Sequence, residues 1–313
     1  MERVVVAMSG GVDSSVAAAL LREQGLEVIG VTMLVWSPPG VDMNQSDSCC
    51  GLPAAEDARR VCARLGIRHY TLDFRDLFYD SVVREYVDEY LHGRTPNPCI
   101  RCNERVKFGA LLARARELGA ERLATGHYAR VRRDDARARW LLLRGRDARR
   151  DQSYALYRLS QEQLSRTLFP VGELQKREVR ERAEELGLPT AGKPDSQETC
   201  FVPNNDYPEL LRILAPEAVA PGEIRDREGR LLGRHDGTAF YTIGQRRRIN
   251  VGSPRPLYVS AIDPARRTVT VAPAGDPALA RTEVWTADAN LLAWDEETAV
   301  AGGGHAGRGQ GAL

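Results

Sequence analysis

Through the first half of the chain, short runs of consecutive apolar positions alternate with stretches in which apolar positions recur at helical spacing. The runs at 4–8, 27–34, 69–73 and 122–129 read as strands, and the stretches at 14–23, 54–65, 77–91 and 104–118 as amphipathic helices. Gly25, Gly66 and Gly119 follow three of these helices, where a left-handed residue closes the last turn. Strand and helix in alternation bury a parallel sheet on both faces, so the spacing predicts an α/β, doubly wound domain over 1–205. A further helix over 176–186, closed by Gly187, leads into the irregular segment 193–201. After Asn205 the texture changes. Short β-type runs at 222–224, 231–233, 239–243, 257–262 and 268–272, separated by Gly, Asp and Pro, predict a small mostly-β domain over 206–278. A last β pattern at 284–287 and 291–294 gives way to an aperiodic, Gly-rich tail at 301–313. Two strands are too few to stand alone, so 279–313 reads as a domain cut short by truncation or a frame shift.

Composition bounds this picture. With 313 residues, 42% apolar and 28% charged, the chain is an ordinary globular protein of two or three domains. The opening apolar run is too short for a signal peptide, and nothing later has the length of a membrane span, so a cytoplasmic protein with no membrane partner is expected. There the six cysteines Cys49, Cys50, Cys62, Cys99, Cys102 and Cys200 read as free, metal-binding or catalytic thiols. Cys62, on an apolar helix face, reads as core. Net charge is only +1, yet nine arginines face three aspartates between positions 128 and 150, and Arg246, Arg247 and Arg248 form a second cluster. Such clusters fit a solvated loop or a nucleic-acid surface equally. Lysine occurs only at Lys107, Lys176 and Lys193, which reads as coding bias.

The most informative local sequence is Ser9-Gly10-Gly11-Val12-Asp13-Ser14-Ser15, between the first strand and the first helix. Backbone N–H groups converge there on one point, a geometry that suits a pyrophosphate. Gly10 and Gly11 permit positive φ and close approach, Asp13 is a candidate Mg²⁺ ligand, and the serine hydroxyls suit phosphate oxygens. No Gly-Lys-Ser/Thr follows, so this is not a Walker A loop. The pattern resembles that of the PP-loop ATP pyrophosphatases, which have an adenine nucleotide alpha hydrolase-like fold and adenylate an oxygen of their substrate. The resemblance places ATP with Mg²⁺ against Ala7, Met8, Ser9, Gly10, Gly11, Val12, Asp13 and Ser14, with Met33 at the adenine and Gly126 closing the pocket.

Two cysteine segments stand out, 95–103 and 196–201. In the first, Cys99 and Cys102 precede a helix start, where the dipole, Arg101 and Arg105 favour thiolate. A zinc half-site, a redox pair and a sulfur-transfer site compete for this pattern. Zinc lacks a second ligand pair, and a thioredoxin-like pair leaves the nucleotide loop unexplained. His127 reads as a strand-end residue near the nucleotide.

Taken together, the glycine loop, 95–108, 123–131, 150–154 and 195–201 closely resemble the tRNA-specific 2-thiouridylase family over about residues 1–290. That resemblance implies Cys102 as nucleophile and Cys200 as carrier of a persulfide loaded by an upstream sulfur-carrier protein. It places Asn97, Pro98 and Cys99 at the target base and Arg150, Asp151 and Gln152 at the tRNA. It also identifies the last segment as an incomplete C-terminal β-barrel. Many members carry Asp where this chain has Cys99, so Cys99, Cys102 and Cys200 together also fit the ligand set of a [4Fe-4S] cluster. Two other classes stay open: a different PP-loop adenylating ligase or amidotransferase, and a nucleotide-regulated RNA-binding protein.

Overall fold

The computed structural model describes residues 1–38, 51–195 and 199–280, together with 290 and 292. The expected β pattern at 284–287, the 301–313 tail, Cys49 and Cys50 lie outside the described residues.

Strands β1 (Arg3–Ala7), β2 (Glu27–Leu34), β3 (Arg68–Asp73) and β4 (Arg122–Ala124) form most of a parallel sheet. The hairpin β5 (Ala129–Asp134) and β6 (Arg139–Arg144) stands apart from it, and β7 (Thr167–Leu168) completes it in the order β3-β2-β1-β4-β7. Central β1 is fully buried at Val4, Val5 and Val6, which is why it reads as an unbroken apolar run rather than an alternating one. Its side chains nevertheless divide by face. Val5 joins a cluster with Ile29, Phe78, Tyr86, Val106 and Leu111, whereas Val4 and Val6 join one with Val16, Val61, Cys62 and Val179. The helices α1 (Val12–Glu23) and α2 (Leu52–Leu65) therefore cover one face, together with helix Lys176–Glu185. The helical runs 75–91 and 98–117 cover the other. The sheet is doubly wound, as the alternation predicts.

Four local expectations need correction. The strand expected at 122–129 is two strands, because the chain leaves the sheet at Thr125 and Gly126 and re-enters β structure at Ala129. The helices expected at 77–91 and 104–118 each contain π-helical turns, Tyr79–Val83 and Cys102–Leu111. Apolar spacing alone does not register so small a change of pitch. The strand expected at 239–243 is a 3₁₀ turn, Thr238–Phe240, whose N–H groups bond within the turn while Phe240 and Tyr241 fill the core.

Beyond helix Tyr207–Leu214, the strands β8 (Gly222–Arg225), β9 (Leu231–His235), β10 (Leu257–Asp263) and β11 (Thr268–Pro273) form a second sheet. Its order is β10-β11-β8-β9, and among the described residues it is an open sheet, not a closed barrel. Its core residues Ile224, Val259 and Val269 belong to the same apolar cluster as Val5. Tyr207 stacks on Tyr90 at 4.6 Å and donates its hydroxyl to the Phe240 carbonyl at 2.9 Å. The Thr95 and Thr242 hydroxyls meet at 3.2 Å, so the second module touches the first cysteine loop.

Phe201, 1% exposed, packs edge-on against Phe78 and Tyr86 and fixes the backbone beside Cys200. Phe201→Ala should cost about 3–5 kcal/mol in urea unfolding, with Phe201→Leu retaining most of the stability.

Candidate active site

In this strand order the chain runs outward from β1 through β2 to β3 and then jumps back to β4. The crevice at that reversal is where open α/β sheets bind ligands. A cavity of about 260 Å³ occupies it, at the carboxyl ends of β1, β2 and β4. Of the residues expected at a nucleotide, Ala7, Met8, Ser9, Gly11, Val12, Asp13, Ser14, Met33 and Gly126 line this cavity. Gly10 lies just behind the lining, in the turn.

The turn is shaped by close packing. Gly10 has φ +66°, and a Cβ there would fall 2.3 Å from the Ala54 carbonyl oxygen. Gly11 is extended, at φ −102°, so only the first glycine of the pair uses the left-handed region. No side chain caps α1 at Gly11. The first N–H groups of the helix are therefore left for an anion, where the dipole also favours negative charge. Gly126 packs directly on this turn, and a Cβ on it would meet Ser14 N at 2.6 Å. The serines divide their work. Ser14 Oγ lies 3.2 Å from Ser9 Oγ at the cavity wall, while Ser15 is buried and donates to the Gly11 carbonyl at 2.7 Å.

Asp13 faces a cation. Lys176 Nζ donates to its two carboxylate oxygens at 2.7 and 2.9 Å and to Asp195 Oδ1 at 2.8 Å, while the Tyr128 hydroxyl donates to Asp13 at 2.8 Å. Arg150 and Arg180 also pair with Asp195, at 2.9 and 2.7 Å. Burial alone would raise the Asp195 carboxyl, but Lys176, Arg150 and Arg180 hold it below the usual range. Lys193 donates to the Gly10 carbonyl at 3.1 Å and to Asp57 at 2.8 Å. Lys107, Lys176, Lys193, Tyr128, Thr125 and Asp195 are cavity residues that the motif reading missed. For the lysines a signal was present, since the chain has no others.

Residues expected at the tRNA separate here. Arg150 and Gln152 line the same cavity as the glycine turn. Gln152 Oε1 accepts the Tyr128 N–H at 3.0 Å. Asp151 organises its own turn, accepting from Gly145 N at 2.9 Å and Ser153 Oγ at 2.8 Å. Much of the 128–150 arginine cluster is engaged internally, Arg130 with Glu173, Arg133 with Asp135 and Arg137 with Asp134. Among the described residues, exposed Arg132, Arg144 and Arg149 make no ion pair.

In the first cysteine segment, Asn97 caps the short helix Pro98–Arg101, accepting the Cys99 N–H at 3.1 Å. Cys99 is exposed in that first turn, and Cys102 begins the π-helical stretch. Arg101 is held by Glu85 and Glu104, and Arg105 by Glu85. The charge expected to favour thiolate is thus shared with two carboxylates. Cys102 and Cys200 are both half-buried and pack against the same apolar cluster, on the face of the sheet away from α1. Buried Cys62, whose thiol is pushed up to about 12, is core. Among the described residues no three His, Cys, Asp or Glu side chains are grouped to hold a metal ion, so Cys99, Cys102 and Cys200 do not form a cluster cradle here. His127 bonds Thr125 Oγ1 at 2.7 Å, and burial, reinforced by the Lys107 charge, holds its imidazole well below 6.5.

An uncapped helix start behind a glycine turn, at the switch point of a doubly wound sheet, defines a nucleotide-binding α/β protein of the PP-loop kind. The family described as "tRNA methyl transferase HUP domain" matches residues 2–204, and "tRNA methyl transferase PRC-barrel domain" matches 210–273. The tRNA-specific 2-thiouridylase MnmA 1 of Caldanaerobacter subterraneus subsp. tengcongensis is 55% identical over 270 residues, 86% of this chain and 74% of its own. The tRNA-specific 2-thiouridylase MnmA of Moorella thermoacetica is 52% identical over 297 residues, 93% of this chain and 81% of its own. The chain belongs to the tRNA-specific 2-thiouridylase family. The solved NMN synthetase of Francisella tularensis aligns with a TM-score of 0.38 and 18% identity over 62% of this chain and 66% of that one.

Gly126→Ala should weaken ATP binding at least about tenfold in a direct titration, because its methyl group displaces the helix start by a substantial fraction of an ångström. Burial also lowers His69 and His235 below 6.5. For all three histidines the unfolded chain takes the proton first, so stability falls as pH drops through 6.5. Urea midpoints should decline from about pH 7.5 to about pH 5.5, and less steeply in His127→Gln.

Proposed function

We propose that this chain is an ATP-dependent sulfurtransferase that replaces the C2 oxygen of the wobble uridine of tRNA with sulfur. The observation that carries this reading is an anion-ready cavity at the switch point, in a chain that shares half its residues with 2-thiouridylases. Asp13 and Asp195 are hard oxygen donors on the cavity wall, the type Mg²⁺ takes when it enters with a triphosphate. The helix start of α1 holds the pyrophosphate end, Met33 faces the base, and Gly126 keeps the turn closed.

In this reading the uridine O2 attacks the α-phosphorus of ATP, pyrophosphate leaves, and the adenylated oxygen becomes a leaving group. The terminal sulfur of a persulfide on Cys200 attacks C2 and AMP departs. The Cys102 thiolate then attacks the Cys200 sulfur, breaking the S–S bond to leave sulfur on the uridine and a Cys102–Cys200 disulfide, which a reductant must open before the next turnover. Asn97, Pro98 and Cys99 meet the target base, and the turn of Arg150, Asp151 and Gln152, whose first and last side chains line the cavity, also meets the tRNA. A sulfur-carrier protein loads Cys200. The exposed arginines Arg132, Arg144 and Arg149 provide phosphate contacts. Among the described residues no helix is long and apolar enough to cross a membrane.

The test is nucleoside mass spectrometry of unmodified tRNA incubated with the protein, Mg-ATP and a persulfide source. A 2-thiouridine peak is expected, and it should vanish in Cys102→Ser and in Cys200→Ser while ATP binding stays within about twofold of wild type. Full thiolation by both variants would sink the two-cysteine mechanism. Pyrophosphate release without either cysteine would favour another adenylating ligase, nucleotide-dependent RNA binding without pyrophosphate release would favour an RNA-binding protein, and a peak only after anaerobic iron-sulfur reconstitution would favour the cluster.

A further inference from the structure

The chain has 44 lysines and arginines, and only Lys107, Lys176 and Lys193 are lysine. They sit in three separate parts of the fold, in the π-helical stretch Cys102–Leu111, at the start of helix Lys176–Glu185, and in the irregular segment after it. All three line the nucleotide cavity, where Arg150 is the other Lys or Arg side chain. Lysine is thus confined to one cavity of the fold. Coding bias accounts for the arginines and leaves the lysines to be explained by something local.

The local difference between the two residues is shape. An ammonium is a compact point charge with three donors on one atom, whereas a guanidinium is a wide planar fork. Lys176, with 12% of its side chain exposed, serves three carboxylate oxygens on Asp13 and Asp195 from a single nitrogen within 2.9 Å. Lys193 likewise divides one nitrogen between the Gly10 carbonyl and Asp57. A guanidinium, whose donors are spread over three nitrogens in a plane, does not reproduce this convergence on one atom. Lys107 stands five residues after Cys102 in a helix whose hydrogen bonds close from i to i+5, so the two share one side of the helix. Lys107 therefore lines the cavity from the same helix that carries Cys102.

We infer that Lys107, Lys176 and Lys193 are the phosphate-binding cations of this site, and that each position requires lysine rather than arginine. The inference rests on the reading of the cavity as an ATP site. Asp13, Asp195 and Asp57 hold the Lys176 and Lys193 ammonium groups close to the turn, and the anionic oxygens of the triphosphate compete for the same donors when nucleotide enters. Lys107 neutralises charge at the end nearer the chemistry.

The test compares equilibrium binding of ATP with that of adenosine, which lacks phosphates, in the full chain and in Lys→Gln and Lys→Arg variants at each position. Thermal melts are run in parallel. Each variant should lose at least about tenfold in ATP affinity while adenosine affinity stays at the wild-type level. Unchanged ATP affinity in the Gln variants, or full affinity in the Arg variants, would overturn the inference. So would parallel loss of ATP and adenosine, which marks a merely structural role. A wild-type chain that binds ATP no better than adenosine would instead remove the ATP reading itself, and the inference with it.

Discussion

The Lys176 ammonium, held between the carboxylates of Asp13 and Asp195, ties together three stretches of chain that are distant in sequence. Asp13 belongs to the first turn of α1, Lys176 opens its own helix, and Asp195 lies five residues before Cys200. The glycine turn and the segment that leads to the second cysteine are thus fixed to one another through Lys176, and Lys193 adds a second tie at the Gly10 carbonyl. Two carboxylates left facing each other without it would repel, and a half-buried charge without its partner is costly. Arg150 and Arg180 reinforce Asp195 and set the direction from which the segment arrives.

Packing supplies the rest of the precision. The glycine turn works because nothing is attached to it: Gly10 lies against the Ala54 carbonyl and Gly126 against the start of α1, each closer than a methyl group allows. Removing side chains at these two points brings backbone N–H groups to the surface of the cavity, and the absence of a capping side chain at Gly11 leaves them available. On the other face of the sheet, the aromatic group of Phe78, Tyr86 and Phe201 holds the Cys200 backbone, and the π-helical stretch fixes the pitch at which Cys102 and Lys107 leave the helix. The small β module closes against this side through Tyr207 and Thr242, sharing the apolar core rather than building a separate one.

Charge is spent locally over much of the surface. Arg101 and Arg105, in and just after the first cysteine segment, answer to Glu85 and Glu104, and Arg130, Arg133 and Arg137 of the hairpin answer to nearby acids. A near-neutral total is therefore compatible with a cavity whose wall carries four Lys or Arg side chains. Such pairs contribute little stability at an exposed surface, and their larger effect is to decide which cations face outward.

By itself the sequence determined the alternation of strand and helix, the doubly wound sheet, the glycine turn and the two cysteine segments, because each depends on neighbours a few residues apart. Strand periodicity, helix closure by Gly25, Gly66 and Gly119, and the run of motif residues at 9–15 are local properties, and the structure keeps them. Only the tertiary structure decided that Asp151 braces a turn while Arg150 and Gln152 line the cavity beside the glycine turn, that 238–240 is a buried turn, and that the helix from Cys102 is wound at π pitch. It also turned the three lysines from a compositional residue into a set, by bringing positions 107, 176 and 193 to one cavity. The physical reason is common to all of these. Which charge meets which partner, and which side of a turn is buried, are set by residues far apart in the chain, and no local pattern records where those residues arrive.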